Sequence, residues 1–149
     1  MPEPVILLVE DDPNDEELSR RALEDNAIKH ELVVVHDGVE ALDYLLGRGK
    51  WSGTMVPLPQ LVVLDLKLPK LGGLEVLEAL RASERTKFLP VVVFSSSTQE
   101  SDLAASYRLG ANAYVSKPVA FEEFARAVRQ LGLFWMLCNQ RLSNVSPNA

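Results

Sequence analysis

Five short apolar runs, at residues 5–9, 32–36, 60–65, 90–95 and 113–116, do not alternate with polar residues, and the longer ones are nearly continuous Val, Ile and Leu. Strands of this kind are buried on both faces, as in a parallel sheet covered by helices. The intervening segments carry a helical period: 13–26 with Leu18, Ala22 and Leu23; 38–46 with Val39, Leu42 and Leu46; 73–83 with Leu74, Leu77 and Leu80; 99–109 with Leu103 and Tyr107; and 121–137. The resulting (βα)5 order predicts an α/β fold with a doubly wound, five-stranded parallel sheet. Asp12 before Pro13 reads as an N-cap with proline at the first helical position, and Gly47 and Gly110 read as helix stops. Residues 47–59 form a long connection.

Four of the runs deliver polar residues at their C-terminal ends: Asp11 and Asp12 after the first, Asp65 at the third, Ser95 at the fourth and Lys117 after the fifth. The second run ends in nothing comparable. Open parallel sheets bind ligands beyond the strand C-termini, where the strand order reverses. Three carboxylates, a hydroxyl and an ammonium are therefore expected to converge. Carboxylates crowded together repel unless a cation offsets them. The set calls for a divalent metal and, beside the lysine, for an anion.

A chain of 149 residues is long enough for one core without staples, so one domain is expected over residues 1–137, with a short polar tail over 138–149. The single cysteine, Cys138, excludes an internal disulfide and reads as an apolar filler. No apolar run approaches the ~20 residues of a membrane span and residues 1–4 lack a signal-peptide pattern, so no membrane partner is expected and the cytoplasm is the default location. A net charge of −6 and a pI near 4.9 argue against a nucleic-acid partner.

The ordered set Glu10-Asp11-Asp12, Asp65-Leu66-Lys67-Leu68-Pro69, Gly73, Ser95 and Lys117-Pro118 resembles the receiver domain of two-component response regulators, over residues 5 to about 131. An acidic pair alone is a weak signal, and so is a Lys-Pro pair; the whole series, each member at the end of the right strand, is specific. The resemblance implies a flavodoxin-like receiver fold with strand order 2-1-3-4-5. It implies that Asp65 is the phosphoacceptor, a carboxylate nucleophile toward phosphohistidine or a small acyl phosphate. It further implies that Asp12 and Asp65 bind Mg2+ directly with the backbone carbonyl of Lys67, that Asp11 acts through a coordinated water, and that Mn2+ is a substitute ion. Glu10 is an accessory candidate at the edge of the site, with a solvated carboxylate as its plainer role.

By the same resemblance Lys117 contacts a phosphoryl oxygen. Its bond to Pro118 is usually cis in the family. Ser95 supplies the hydroxyl that bonds the phosphoryl group, and Tyr114 is the aromatic that swings inward behind it as a switch. A fixed edge-strand aromatic is the alternative for Tyr114. Lys67 and Ser97 flank the path of water toward the phosphoryl group at positions where the family varies, and Gly72 stands where many members carry a polar residue.

Only 31 residues follow Pro118, which predicts a single-domain regulator without an output domain. The stretch from Ser106 to Tyr114, the connection at 47–59 and Phe134-Trp135 are similar to regulators served by phytochrome-type histidine kinases, which makes such a kinase the expected partner. The expected role is a signalling phosphoacceptor and not an enzyme acting on other substrates. Two other classes remain open: a phosphorylation-independent pseudo-receiver, and an Asp-nucleophile phosphatase, which would place a second Asp where Lys67 stands. Residues 131–138, LGLFWMLC, are apolar without a break, more than one buried helix face requires. A homodimer through the final helix is expected from this surplus, with folding back onto its own domain as the alternative.

Overall fold

The computed structural model describes residues 5–24, 31–53, 56–96 and 99–116. Along the chain run β1 (Val5–Val9), α1 (Pro13–Glu24), β2 (Glu31–Val35), α2 (Gly38–Leu46), β3 (Leu61–Leu64), α3 (Gly73–Ala82), β4 (Val91–Ser95), α4 (Glu100–Arg108) and β5 (Ala113–Ser116). The sheet is five-stranded and parallel, in the order β2-β1-β3-β4-β5. This is the fold and the strand order expected from the sequence. The final helix expected at 121–137 lies outside the described residues, as do Lys117, Pro118, Ser97 and Cys138.

Strand ends differ from the sequence expectation by a residue or two, for local reasons. His36 leaves β2 because its N–H is drawn to the Glu40 carboxylate at 2.9 Å. Pro90 has no N–H to give to a ladder, so β4 starts at Val91, although the Pro90 carbonyl still accepts from Val62 N at 3.0 Å.

The absence of alternation along the strands follows from two cores. Leu7, Val9, Val62, Leu64, Val91 and Val93 face one way, against Leu42 and Leu45 of α2 and Val76, Leu77 and Leu80 of α3. Ile6, Leu8, Leu61, Val63, Val92 and Phe94 face the other way, where Leu23 of α1 joins them. Every residue of β1, β3 and β4 is buried. Each such Val or Leu contributes about 1.5–3 kcal/mol relative to an exposed position. These strand ends therefore stand on fully buried strands.

Within the 47–59 connection, Gly47 stops α2 in a left-handed conformation (φ 68°) and returns its N–H to the Asp43 carbonyl. A single 3-10 turn follows at Gly49–Trp51. Trp51 stands edge-on to Tyr44 with ring centroids 5.3 Å apart, and Arg85 donates to the Leu45 and Val56 carbonyls at 3.2 and 2.7 Å. The connection is thus fastened to the domain at both ends.

Candidate functional site

β1 lies between β2 and β3, so the chain reverses direction across the sheet at the C-terminal ends of β1 and β3. The ladder continues one step past each strand: Glu10 N donates to Val35 O at 3.0 Å, and Asp65 N donates to Val9 O at 3.1 Å. Two carboxylate-bearing residues are in this way fixed by their backbones at neighbouring strand ends. Asp11, the next residue, completes a cluster in which one carboxylate oxygen from each of Glu10, Asp11 and Asp65 lies within 4.8 Å of the other two. Glu10 is 2 % exposed and Asp65 8 %, whereas Asp11 is open to solvent.

Side-chain contacts orient this cluster. A Glu10 carboxylate oxygen (Oε2) accepts from Asp12 N at 3.3 Å, and Asp65 Oδ1 accepts from Lys67 N at 3.2 Å. Three carboxylates, two of them buried, concentrate negative charge where little water can screen it. An all-oxygen donor set with one solvent-facing member fits a hard divalent cation that keeps several waters, as Mg2+ and Mn2+ do.

Asp12 is placed differently from the sequence expectation. Its Oδ1 accepts from Asn14 N at 2.7 Å and Asp15 N at 3.1 Å, which makes it the N-cap of α1. Its backbone carbonyl takes the first helical hydrogen bond, from Glu16 N at 2.9 Å. The sequence expectation put Asp12 beside Asp65 and left Glu10 at the rim. The structure exchanges them: Glu10 joins Asp65, and Asp12 serves the helix. With Pro13 at the first helical position, Asp12 is placed to cap the helix through Oδ1.

The loop from Asp65 to α3 is tight. Gly73 N donates to Leu66 O at 3.0 Å, and a Cβ on Gly73 would overlap the Asp65 carbonyl. Lys67 is exposed at the start of this loop. Farther along, the loop touches the N-terminus of α2, whose cap is Asp37. Asp37 Oδ1 accepts from Glu40 N at 2.7 Å, and Lys70 Nζ lies 3.4 Å from Asp37 Oδ2. The backbone hydrogen bond from Glu40, aided by the charge of Lys70 and opposed by burial, holds the Asp37 carboxyl below its ordinary value.

Ser95 is the last residue of β4 and is completely buried. It stands in register with Ser116, the residue before Lys117. Tyr114 is paired with Val93, two residues earlier on the same face of β4 as Ser95, and its half-buried ring packs against the core beneath α2 and α3. Glu10 is the site residue that the sequence reading undervalued. The signal for it was present, since a cap at Asp12 leaves the two preceding acids, and not the two aspartates, to face the strand ends.

A family model described as the response regulator receiver domain matches residues 6–129. Response regulator Rcp1 of Synechocystis sp. is 38% identical over 135 residues, spanning 91% of this chain and 90% of that protein. A solved Mn2+-bound form of Rcp1 superposes with a TM-score of 0.81 at 38% identity, over 90% of this chain and 94% of that one. The phosphorylated cyanobacterial phytochrome response regulator RcpA gives a TM-score of 0.83 at 37% identity over 90% and 94% of the two chains. The bacteriophytochrome response regulator AtBRR gives 0.75 at 48% identity over 91% and 96%.

Proposed function

Because the chain belongs to the response regulator receiver family, we propose that it accepts a phosphoryl group on Asp65 from a sensor histidine kinase, in a reaction that requires Mg2+. The observation that carries this reading is the convergence of the Glu10, Asp11 and Asp65 carboxylates at the ends of β1 and β3. An Asp65 carboxylate oxygen attacks phosphorus; a P–O bond forms as the P–N bond of phosphohistidine breaks, and the electron pair leaves on the imidazole nitrogen. Glu10, Asp11 and Asp65 hold the cation, joined by the Lys67 carbonyl. Bound Mg2+ supplies the positive charge that offsets the transferring phosphoryl oxygens.

The chain's own residues do the rest. The strand ladder fixes Asp65 through its N–H. Lys117 neutralises a phosphoryl oxygen, Ser95 donates its hydroxyl to another, and Tyr114 moves inward behind it as the readout. The product is a changed surface rather than a released compound, in keeping with a signalling family. Mn2+ replaces Mg2+, in line with the Mn2+-bound Rcp1.

The partner we propose is a phytochrome-type kinase. The similarity to RcpA and AtBRR, both named as phytochrome response regulators, supports it. A homodimer through residues 131–138 remains part of the proposal and rests on their unbroken apolar character. Among the described residues, no helix is long and apolar enough to cross a membrane, which fits a cytoplasmic partner.

The test is intact mass after incubation with acetyl phosphate and Mg2+. One added phosphoryl group is expected on the wild type and none on Asp65→Asn. Equal labelling of the variant, or labelling that persists in chelator, would overturn the assignment. Phosphotransfer from a panel of purified histidine kinases then identifies the input.

A further inference from the structure

We propose that Lys70 is a positioning residue for the metal-binding loop and acts through Asp37; this rests on Asp65 and its neighbours binding Mg2+ as proposed above. Lys70 is the one non-glycine among the described residues with a positive φ, 67°. Leu71 N donates to Pro69 O at 2.7 Å across it, so Lys70 is the centre of a three-residue turn in its rarer, left-handed form. An L-residue holds that conformation only where its surroundings impose it.

The surroundings are the first residues of α2. Gly38 N donates to Pro69 O at 3.5 Å, and a Cβ on Gly38 would overlap the Leu71 carbonyl. The two backbones are therefore in direct contact on either side of Lys70. The tie at Lys70 itself is the 3.4 Å ion pair to Asp37, whose other oxygen is committed to Glu40 N. Asp37 is a fixed anchor, because a carboxylate that caps a helix has one orientation.

The far end of the loop is equally closed. Gly73 is packed on the Asp65 carbonyl and bonded to Leu66 O. The chain from Leu66 to Lys70 runs between these two fixed points, and the carbonyl of Lys67, proposed to join the three carboxylates as a ligand, lies within it. If Lys70 lets go, the strained turn relaxes and the Lys67 carbonyl moves with it. The preorganised cation geometry is lost while the fold stays intact.

Mg2+ dissociation constants by isothermal titration calorimetry, with thermal midpoints alongside, test this on the full chain. Asp37→Asn keeps a good N-cap and removes the charge, and Lys70→Met keeps most of the stem. Each is expected to weaken Mg2+ binding about threefold, the scale of one partly exposed ion pair. The double variant should be no weaker than either single one, Lys70→Arg should restore wild-type binding, and the thermal midpoints should stay within about 2 °C. Wild-type affinity in either single variant, or additive losses in the double, would overturn the proposal. A wild type that binds no Mg2+ would instead bring down the parent reading, and this one with it.

Discussion

The α-carbon of Gly73 lies against the carbonyl oxygen of Asp65, so closely that no side chain fits between them. The first residue of α3 thus supports the proposed phosphoacceptor from behind. Gly73→Ala would ordinarily gain helix propensity, up to about 1 kcal/mol. Here the overlap is with backbone, which has little freedom to give, and overpacking costs about 1–3 kcal/mol. A lower urea midpoint together with slower labelling of Asp65 is expected. An unchanged or higher midpoint would show that the loop can yield.

The three consecutive acids separate by role. Glu10→Gln and Asp11→Asn are each expected to weaken Mg2+ binding by about tenfold, the loss of one charge at a crowded cation site. Asp12→Asn should leave Mg2+ binding unchanged, because asparagine caps as well as aspartate. Asp12→Ala should cost about 1 kcal/mol of stability through the lost cap and still bind the ion. Calorimetric titration with Mg2+ and urea unfolding distinguish the two effects. Metal binding that collapses in Asp12→Asn would return that residue to the cluster.

Most of this architecture was legible in the sequence, because each strand is a short, uninterrupted apolar run between helices with a clear 3.6-residue period. Asp65 and Ser95 were legible for the same reason: they end such runs. The exchange of Glu10 and Asp12 was not, since three adjacent acids carry no periodicity, and only the geometry of Pro13 and the first turn of α1 assigns them. The positive φ of Lys70 was equally hidden. Lysine is not a residue type that marks left-handed backbone, and the residues that meet this turn, Asp37 and Gly38, lie more than thirty positions away in the chain.

Asp37 should also shape the acid limb of stability. Its folded-state carboxyl is held below the ordinary aspartate value, with the Glu40 backbone N–H as the largest cause and Lys70 as a lesser one. The unfolded chain therefore binds the proton more readily. The stabilisation is fully present above the ordinary value and is lost as pH falls through the lowered one. Asp37→Asn removes this contribution, so its urea midpoint should decline less steeply than that of the wild type over roughly pH 5 to 2. Parallel curves over that range would contradict it.

Arg81 joins α3 to the approaches of β4 and β5. Its guanidinium donates to the Gly110 carbonyl from Nε at 3.1 Å and Nη2 at 2.8 Å, and from Nη1 to the Thr86 and Lys87 carbonyls at 3.3 and 3.1 Å. Burial lowers its pKa below the ordinary arginine value. Arg81→Ala removes the guanidinium donor from the Gly110 and Lys87 carbonyls, while Thr86 O keeps its bond from Leu89 N, and should lower unfolding free energy by about 3 kcal/mol. Arg81→Lys should recover less than half of that, because a single ammonium cannot reproduce the planar fork. Urea denaturation of both variants decides the matter, and a lysine variant equal to wild type would refute the need for the fork.

β1 has a partner strand on each side, with Val9 opposite both Val35 and Leu64. Its amides have no local opening by which to meet solvent deuterium; they are freed only when the whole sheet comes apart. The segment that leads into Glu10 and Asp11 is thus, with β3 and β4, among the slow clocks of the described residues. Any loosening that accompanies a signal must be recorded at the edges, in β2, β5 and the loops, while the centre that receives the charge keeps its protons.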